Sequence, residues 1–70
     1  MAGVFYQAPS PEADPFVSIG QQVSTGDVLC IIESMKMMNE VTSTTSGTVR
    51  EIRVANADAV ATGTALFVIS

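Results

Sequence analysis

Histidine and tryptophan are absent from this 70-residue chain, and cysteine and lysine each occur once. Without histidine, and without a cluster of residues at metal-ligand spacing, the sequence offers no nucleophile–base pair and no metal centre. It also has no glycine loop of the kind that cradles phosphate. Cations are scarce: Lys36, Arg50 and Arg53 stand against seven acids, for a net charge of −4. That leaves no basic patch for nucleic acid. No run approaches the roughly 18 apolar residues of a membrane helix, and the first residues lack the basic start and apolar stretch of an export signal. The lone Cys30 lies inside Val28-Leu29-Cys30-Ile31-Ile32. It reads as a small buried hydrophobe in a reducing compartment, with no disulfide implied.

A hydrophobic fraction of 47% with only 14% charged residues marks a globular chain, and its length allows one domain. Short apolar or alternating runs, broken by Gly, Ser, Thr, Asn and Asp, predict an all-β fold. Strands are expected near 3–7, 16–18, 22–23, 27–34, 37–43, 47–54, 59–60 and 66–69. Val41, Val49, Ile52, Val54, Val60, Leu66, Val68 and Ile69 supply further apolar positions. Within 27–34, alternation puts Val28, Cys30 and Ile32 on one face and Leu29 and Ile31 on the other. Turns are expected at Thr25-Gly26, Ser46-Gly47 and Thr62-Gly63, with glycine supplying positive φ.

The chain repeats itself. Val23-Ser24-Thr25-Gly26 matches Val60-Ala61-Thr62-Gly63 at an offset of 63 − 26 = 37, and Gly3-Val4-Phe5 matches Gly47-Thr48-Val49 at 47 − 3 = 44. Two similar halves related by an approximate two-fold axis follow. The offsets differ by 44 − 37 = 7, so the first half holds about seven extra residues. The obvious candidate is 8–15, whose Pro9, Pro11 and Pro15 fit poorly in a central strand; it reads as a protruding, proline-stiffened loop. The offset of 37 carries Glu33 onto Ser70, so Lys36 and the chain ends are expected at opposite poles.

Lys36 is framed by methionines in Glu33-Ser34-Met35-Lys36-Met37-Met38. A lone lysine is ordinarily a solvated charge, and methionines often fill core gaps. Here the frame falls between two strand-like runs, where bulky apolar side chains at a loop tip are normally avoided. If Met35 and Lys36 are the central residues of a two-residue hairpin, positive φ is expected at one or both, at about 1–2 kcal/mol each. Such a frame suits recognition by another protein that acylates the amine. Met38 is split between core and surface.

The string Glu-Ser-Met-Lys-Met-Met-Asn-Glu resembles the attachment motif of biotinyl domains, the carriers of biotin-dependent carboxylases, typically Glu-Ala-Met-Lys-Met. Ser34 stands where alanine is usual; both are small. Ser10-Pro11-Glu12-Ala13-Asp14-Pro15-Phe16-Val17, followed by Gly20, is similar to the protruding "thumb" of one branch, the C-terminal domain of the acetyl-CoA carboxylase carriers. The likeness runs from about Gly3 to Ile69.

The resemblance implies one biotinyl domain over 1–70 with its thumb near 8–15. The implied fold is a flattened antiparallel barrel-sandwich of two four-stranded sheets with quasi-two-fold symmetry. It implies biotin amide-linked to Lys36, with Glu33, Ser34, Met35 and Met37 read by the partners. Ser10, Pro11, Glu12, Ala13, Asp14, Pro15 and Phe16 would restrain the biotin arm. Asn39 and Glu40 look similar to family residues without an assignable role. The implied partners are a biotin protein ligase, biotin carboxylase and carboxyltransferase, and the implied product is malonyl-CoA for fatty acid synthesis. The domain itself would be a non-catalytic carrier, in the cytoplasm or a plastid stroma. Carriers of this branch have an N-terminal region and linker, so the 70 residues are expected to be a piece of a longer chain. The competing readings are a biotinyl domain of another carboxylase, a lipoyl carrier of the same fold, and a small unmodified interaction module.

Overall fold

The computed structural model describes residues 2–70. Seven strands form: β1 (Ala2–Tyr6), β2 (Gln22–Val23), β3 (Val28–Ser34), β4 (Met37–Thr42), β5 (Gly47–Ile52), β6 (Ala59–Ala61) and β7 (Phe67–Ile69). Among the described residues no helix interrupts them. One sheet runs β4-β3-β1-β6 and the other β2-β5-β7, with every pairing antiparallel. The core lies in two clusters: Val17, Val23, Leu29 and Val49 in one, Phe5, Cys30 and Val60 in the other. Ile52 and Phe67 pack against both, and the Phe5 and Phe67 rings lie 5.9 Å apart.

The repeat seen in the sequence is built into the hydrogen bonds. Ser24 N donates to Asp27 Oδ2 (2.8 Å) as Ala61 N donates to Thr64 Oγ1 (3.1 Å). Ser18 N donates to Gln21 Oε1 as Ala55 N donates to Asp58 Oδ2. Gly20 N donates to the Val49 carbonyl as Ala57 N donates to the Phe5 carbonyl, both at 2.7 Å. Val49 N donates to Gln21 O as Phe5 N donates to Asp58 O, both at 2.9 Å. The offset is 44 from Phe5 to Val49 and 37 from Ser18 to Ala55, so the seven-residue surplus falls between residues 5 and 18.

Four expectations are corrected. Residues 16–18 do not form a strand: Phe16 N is taken by the Gln7 carbonyl and Ser18 N by the Gln21 side chain, so no ladder develops. The second sheet has three described strands, not four. Among the described residues no strand pairs with the far side of β7. Gly26 and Gly63 have positive φ, whereas Gly47 is a strand residue with no positive φ. A Cβ on Gly47 would stand 2.9 Å from the Ser70 carbonyl oxygen, so close backbone approach explains this glycine. Finally, the start of β1 does not lie opposite Lys36. Because β1 runs antiparallel to β3, with Val4 against Glu33, Ala2 lies beside the hairpin.

Within β3 the register shifts between Val28 and Cys30 against β4. This bulge sends Leu29 into one core cluster and Cys30 into the other. From Cys30 onward the expected alternation holds. Cys30 and Ile32 face the core with Phe5, while Ile31, itself buried, and the exposed Glu33 lie on the opposite face with Tyr6 and Val4.

Candidate functional site

Ser34 and Met37 close the β3–β4 ladder, leaving Met35 and Lys36 as a two-residue loop. Their φ angles are 51° and 65°. Positive φ at both central positions is the mark of a type I′ turn, whose twist matches its flanking strands. Asn-Gly normally fills such a turn. Two side-chain-bearing residues hold the left-handed conformation here, and the result is an amine and a thioether carried on the outermost point of the hairpin. Lys36 is exposed, and Met35 is 87% exposed. Among the described residues the one ion pair is Arg53–Glu51, on the surface, so Lys36 is not neutralised by an acid.

The residues around the turn divide by strand face. Ser34 is buried on the core side. Gly3 explains its small size: a Cβ on Gly3 would lie 3.3 Å from the Ser34 Cβ, so the strands meet here with room only for small side chains. Met37, Ser34's register partner, is 63% exposed. Glu33 pairs with Met38 on the outer face, and Met38 is 54% exposed. That places Met38 on the surface and resolves its split assignment. Asn39 donates weakly from Nδ2 to the Ile32 carbonyl at 3.4 Å, and Glu40 is exposed opposite Ile31; neither touches the tip.

The loop 8–15 is anchored at its base by Phe16 N to the Gln7 carbonyl (2.9 Å) and by Gln7 N to Asn56 Oδ1 (3.0 Å). Ala8 and Val17 are buried, and Phe16 packs on the Val17–Val49 cluster. A turn, Ala13 N to the Ser10 carbonyl, folds the exposed tip. Between this loop and the outer face of β1 and β3 runs a groove of about 200 Å³, lined by Tyr6, Ala8, Pro9, Ser10, Pro11, Glu33, Met38 and Asn56. Ser10 and Pro11 are thereby brought together with Glu33, next to the lysine turn. Glu12, Ala13, Asp14 and Pro15 do not line the groove, and Phe16 serves as a core anchor. Tyr6 and Asn56 were not singled out from sequence, and Met38 was left between core and surface. The alternation of β4 carried a signal for Met38; nothing local marked Asn56, which is 49 residues from Gln7.

Cys30 is fully buried, and burial pushes its thiol up to about 11. It therefore stays protonated and shielded. Among the described residues no group of acids, cysteines or histidines could hold a metal ion, and no helix is long and apolar enough to cross a membrane. The tip presents an exposed primary amine, and among the described residues no acid forms an ion pair with it.

The family model described as "Biotin-requiring enzyme", of the biotin–lipoyl type, matches residues 1–69. The chain belongs to the biotin–lipoyl family. Within that family it is 46% identical over 70 residues to the biotin carboxyl carrier protein of acetyl-CoA carboxylase 2, chloroplastic, of Arabidopsis thaliana, covering all of this chain and 28% of the relative. It is 48% identical over 69 residues to the biotin carboxyl carrier protein of acetyl-CoA carboxylase of Pseudomonas aeruginosa, covering 99% of this chain and 44% of the relative. The protein of the same name from Haemophilus influenzae is 50% identical over 60 residues, covering 86% and 39%. The chain thus spans 28–44% of the length of these relatives. An unpaired amine on an apolar tip beside a groove is an arrangement that fits a biotinyl group joined at Lys36.

Proposed function

We propose that this chain is the biotin-bearing domain of an acetyl-CoA carboxylase carrier. The observation that carries this reading is the type I′ turn that holds Lys36 out between Met35 and Met37. When attached, biotin supplies a ureido nitrogen that accepts and releases a carboxyl group.

The chain's own residues present and orient. Lys36 Nζ, once deprotonated, is the nucleophile that forms the amide; the activating groups belong to a biotin protein ligase. Met35 and Met37 give ligase and carboxylase a soft apolar surface that several partners can pack against. Ser34 and Gly3 lock the base of the hairpin by close packing, so the amine stands at a fixed height above the sheet. Glu33 marks the outer face beside the lysine. The loop 8–15 acts as the thumb, and Ser10 and Pro11 form the groove wall against which the arm is restrained. The domain is a non-catalytic carrier. It moves its load between biotin carboxylase and carboxyltransferase in malonyl-CoA formation, and tethering raises the local concentration of the carried group at both sites. A bacterial cytoplasm or a plastid stroma suits this work, in line with the relatives' printed names.

Co-expression with a biotin protein ligase tests the reading. Streptavidin should capture the parent chain and not Lys36→Ala. A parent chain left uncaptured beside an active ligase would overturn it.

A further inference from the structure

Three of the chain's four methionines, Met35, Met37 and Met38, lie within four positions of one another around Lys36, and they are 87%, 63% and 54% exposed. The strand faces distribute them: Met35 at the tip, Met37 on the side of Ser34, Met38 on the side of Glu33 at the mouth of the groove. The remaining described sulfur, Cys30, is fully buried. The solvent-accessible thioethers of the described chain are therefore concentrated on the amine's own frame. Packing does not explain three large apolar side chains there, because none of them belongs to either core cluster.

We propose that Met35, Met37 and Met38 form a reversible oxidation site that gates acylation of Lys36 by hydroperoxides; this rests on the carrier reading above. A thioether lone pair attacks the distal oxygen of a hydroperoxide. The S–O bond forms, the O–O bond breaks, and the departing alkoxide or hydroxide takes the proton of the transferred hydroxyl, leaving a sulfoxide and an alcohol or water. Sulfur loses two electrons and the peroxide gains them. The reaction needs exposure of sulfur and no catalytic side chain, which is what the hairpin provides. Sulfoxide formation turns a pliable apolar side chain into a polar one. A ligase surface shaped for thioethers then has to desolvate a strong hydrogen-bond acceptor, while the amine itself is untouched. Methionine sulfoxide reductases restore the thioether.

The test treats the intact chain with hydrogen peroxide, removes the peroxide, and maps oxygen addition by peptide mass. Initial rates of biotin attachment by a purified ligase are then compared for untreated, oxidised and reductase-repaired samples. The expected result is oxidation at Met35, Met37 and Met38 with Cys30 unmodified, a fall in rate of about tenfold or more, and recovery on repair. Circular dichroism should show the fold unchanged after oxidation. An oxidised chain acylated at the untreated rate would overturn the inference and leave the carrier reading standing. A slowed chain that repair does not restore would overturn it as well, by locating the damage elsewhere. An untreated chain that accepts no biotin would overturn the carrier reading and this inference together.

Discussion

Ala57, at φ 71°, occupies the place in the second half that Gly20, at φ 91°, occupies in the first. Each N–H donates 2.7 Å to the carbonyl of the equivalent buried residue, Phe5 for Ala57 and Val49 for Gly20. The bond holds Ala57 in a conformation that a Cβ disfavours by about 1–2 kcal/mol. Ala57→Gly should therefore raise stability by about 0.5–1 kcal/mol, after allowing for glycine's greater freedom when unfolded. A urea midpoint that shifts upward at constant slope is the expected observation; an unchanged or lower midpoint would show the strain to be absorbed elsewhere.

Gly3 and Gly47 should respond in the opposite direction. A Cβ at Gly3 would lie 2.6 Å from Ile32 Cγ2 and 2.7 Å from the Glu33 carbonyl oxygen, and one at Gly47 would meet Ser70 and Ile69. The two sets of neighbours are themselves related by 69 − 32 = 37 and 70 − 33 = 37. Alanine at either site is expected to cost about 1–3 kcal/mol through displaced strands, read from the same urea titrations. Gly3→Ala should in addition slow acylation of Lys36, because its neighbours are the base of the lysine hairpin.

Cys30 gives the fold a pH dependence with a definite sign. Its thiol is raised from 9.0 to about 11 by burial, so the folded state favours the protonated form. The stability this contributes is complete below 9 and is lost as pH rises through about 11. Comparing the parent with Cys30→Ala across that window isolates the thiol's contribution. The parent should lose stability more steeply. At neutral pH iodoacetamide should leave the folded thiol unmodified; alkylation at a free cysteine's rate would contradict its burial.

Much of this was legible because the sequence writes it twice. Equal strings at Val23–Gly26 and Val60–Gly63 reflect equal hydrogen-bonded turns. The type I′ turn followed from a two-residue gap between strands. What escaped was non-local. Donors at Phe16 and Ser18 are claimed by Gln7 and Gln21, which no propensity at 16–18 announces. The place of Ala2 beside the hairpin depends on the antiparallel pairing of β1 with β3; the repeat offset alone did not contain it. The groove needs Asn56 and the loop 8–15 in contact with one sheet face, a product of the whole fold.

The loop also offers a clean deletion. From Phe5 to Ser18 is 13 residues and from Val49 to Ala55 is 6, so removing residues 9–15 makes the intervals equal. The shortened chain should fold and still accept biotin at Lys36, since Ala8 and Phe16 remain to seal the core. Its biotin arm should move more freely, seen as lower order parameters for the ureido group by NMR. An arm as restrained as in the parent would remove the loop from the carrier's mechanism.

The most direct measurement is the intact mass of the chain after incubation with ATP, biotin and a biotin protein ligase. The predicted result is one biotinyl group per chain, located at Lys36 by fragmentation and absent from Lys36→Ala. An unmodified mass beside a ligase active on a control substrate, or an addition matching lipoate in its place, would contradict the account.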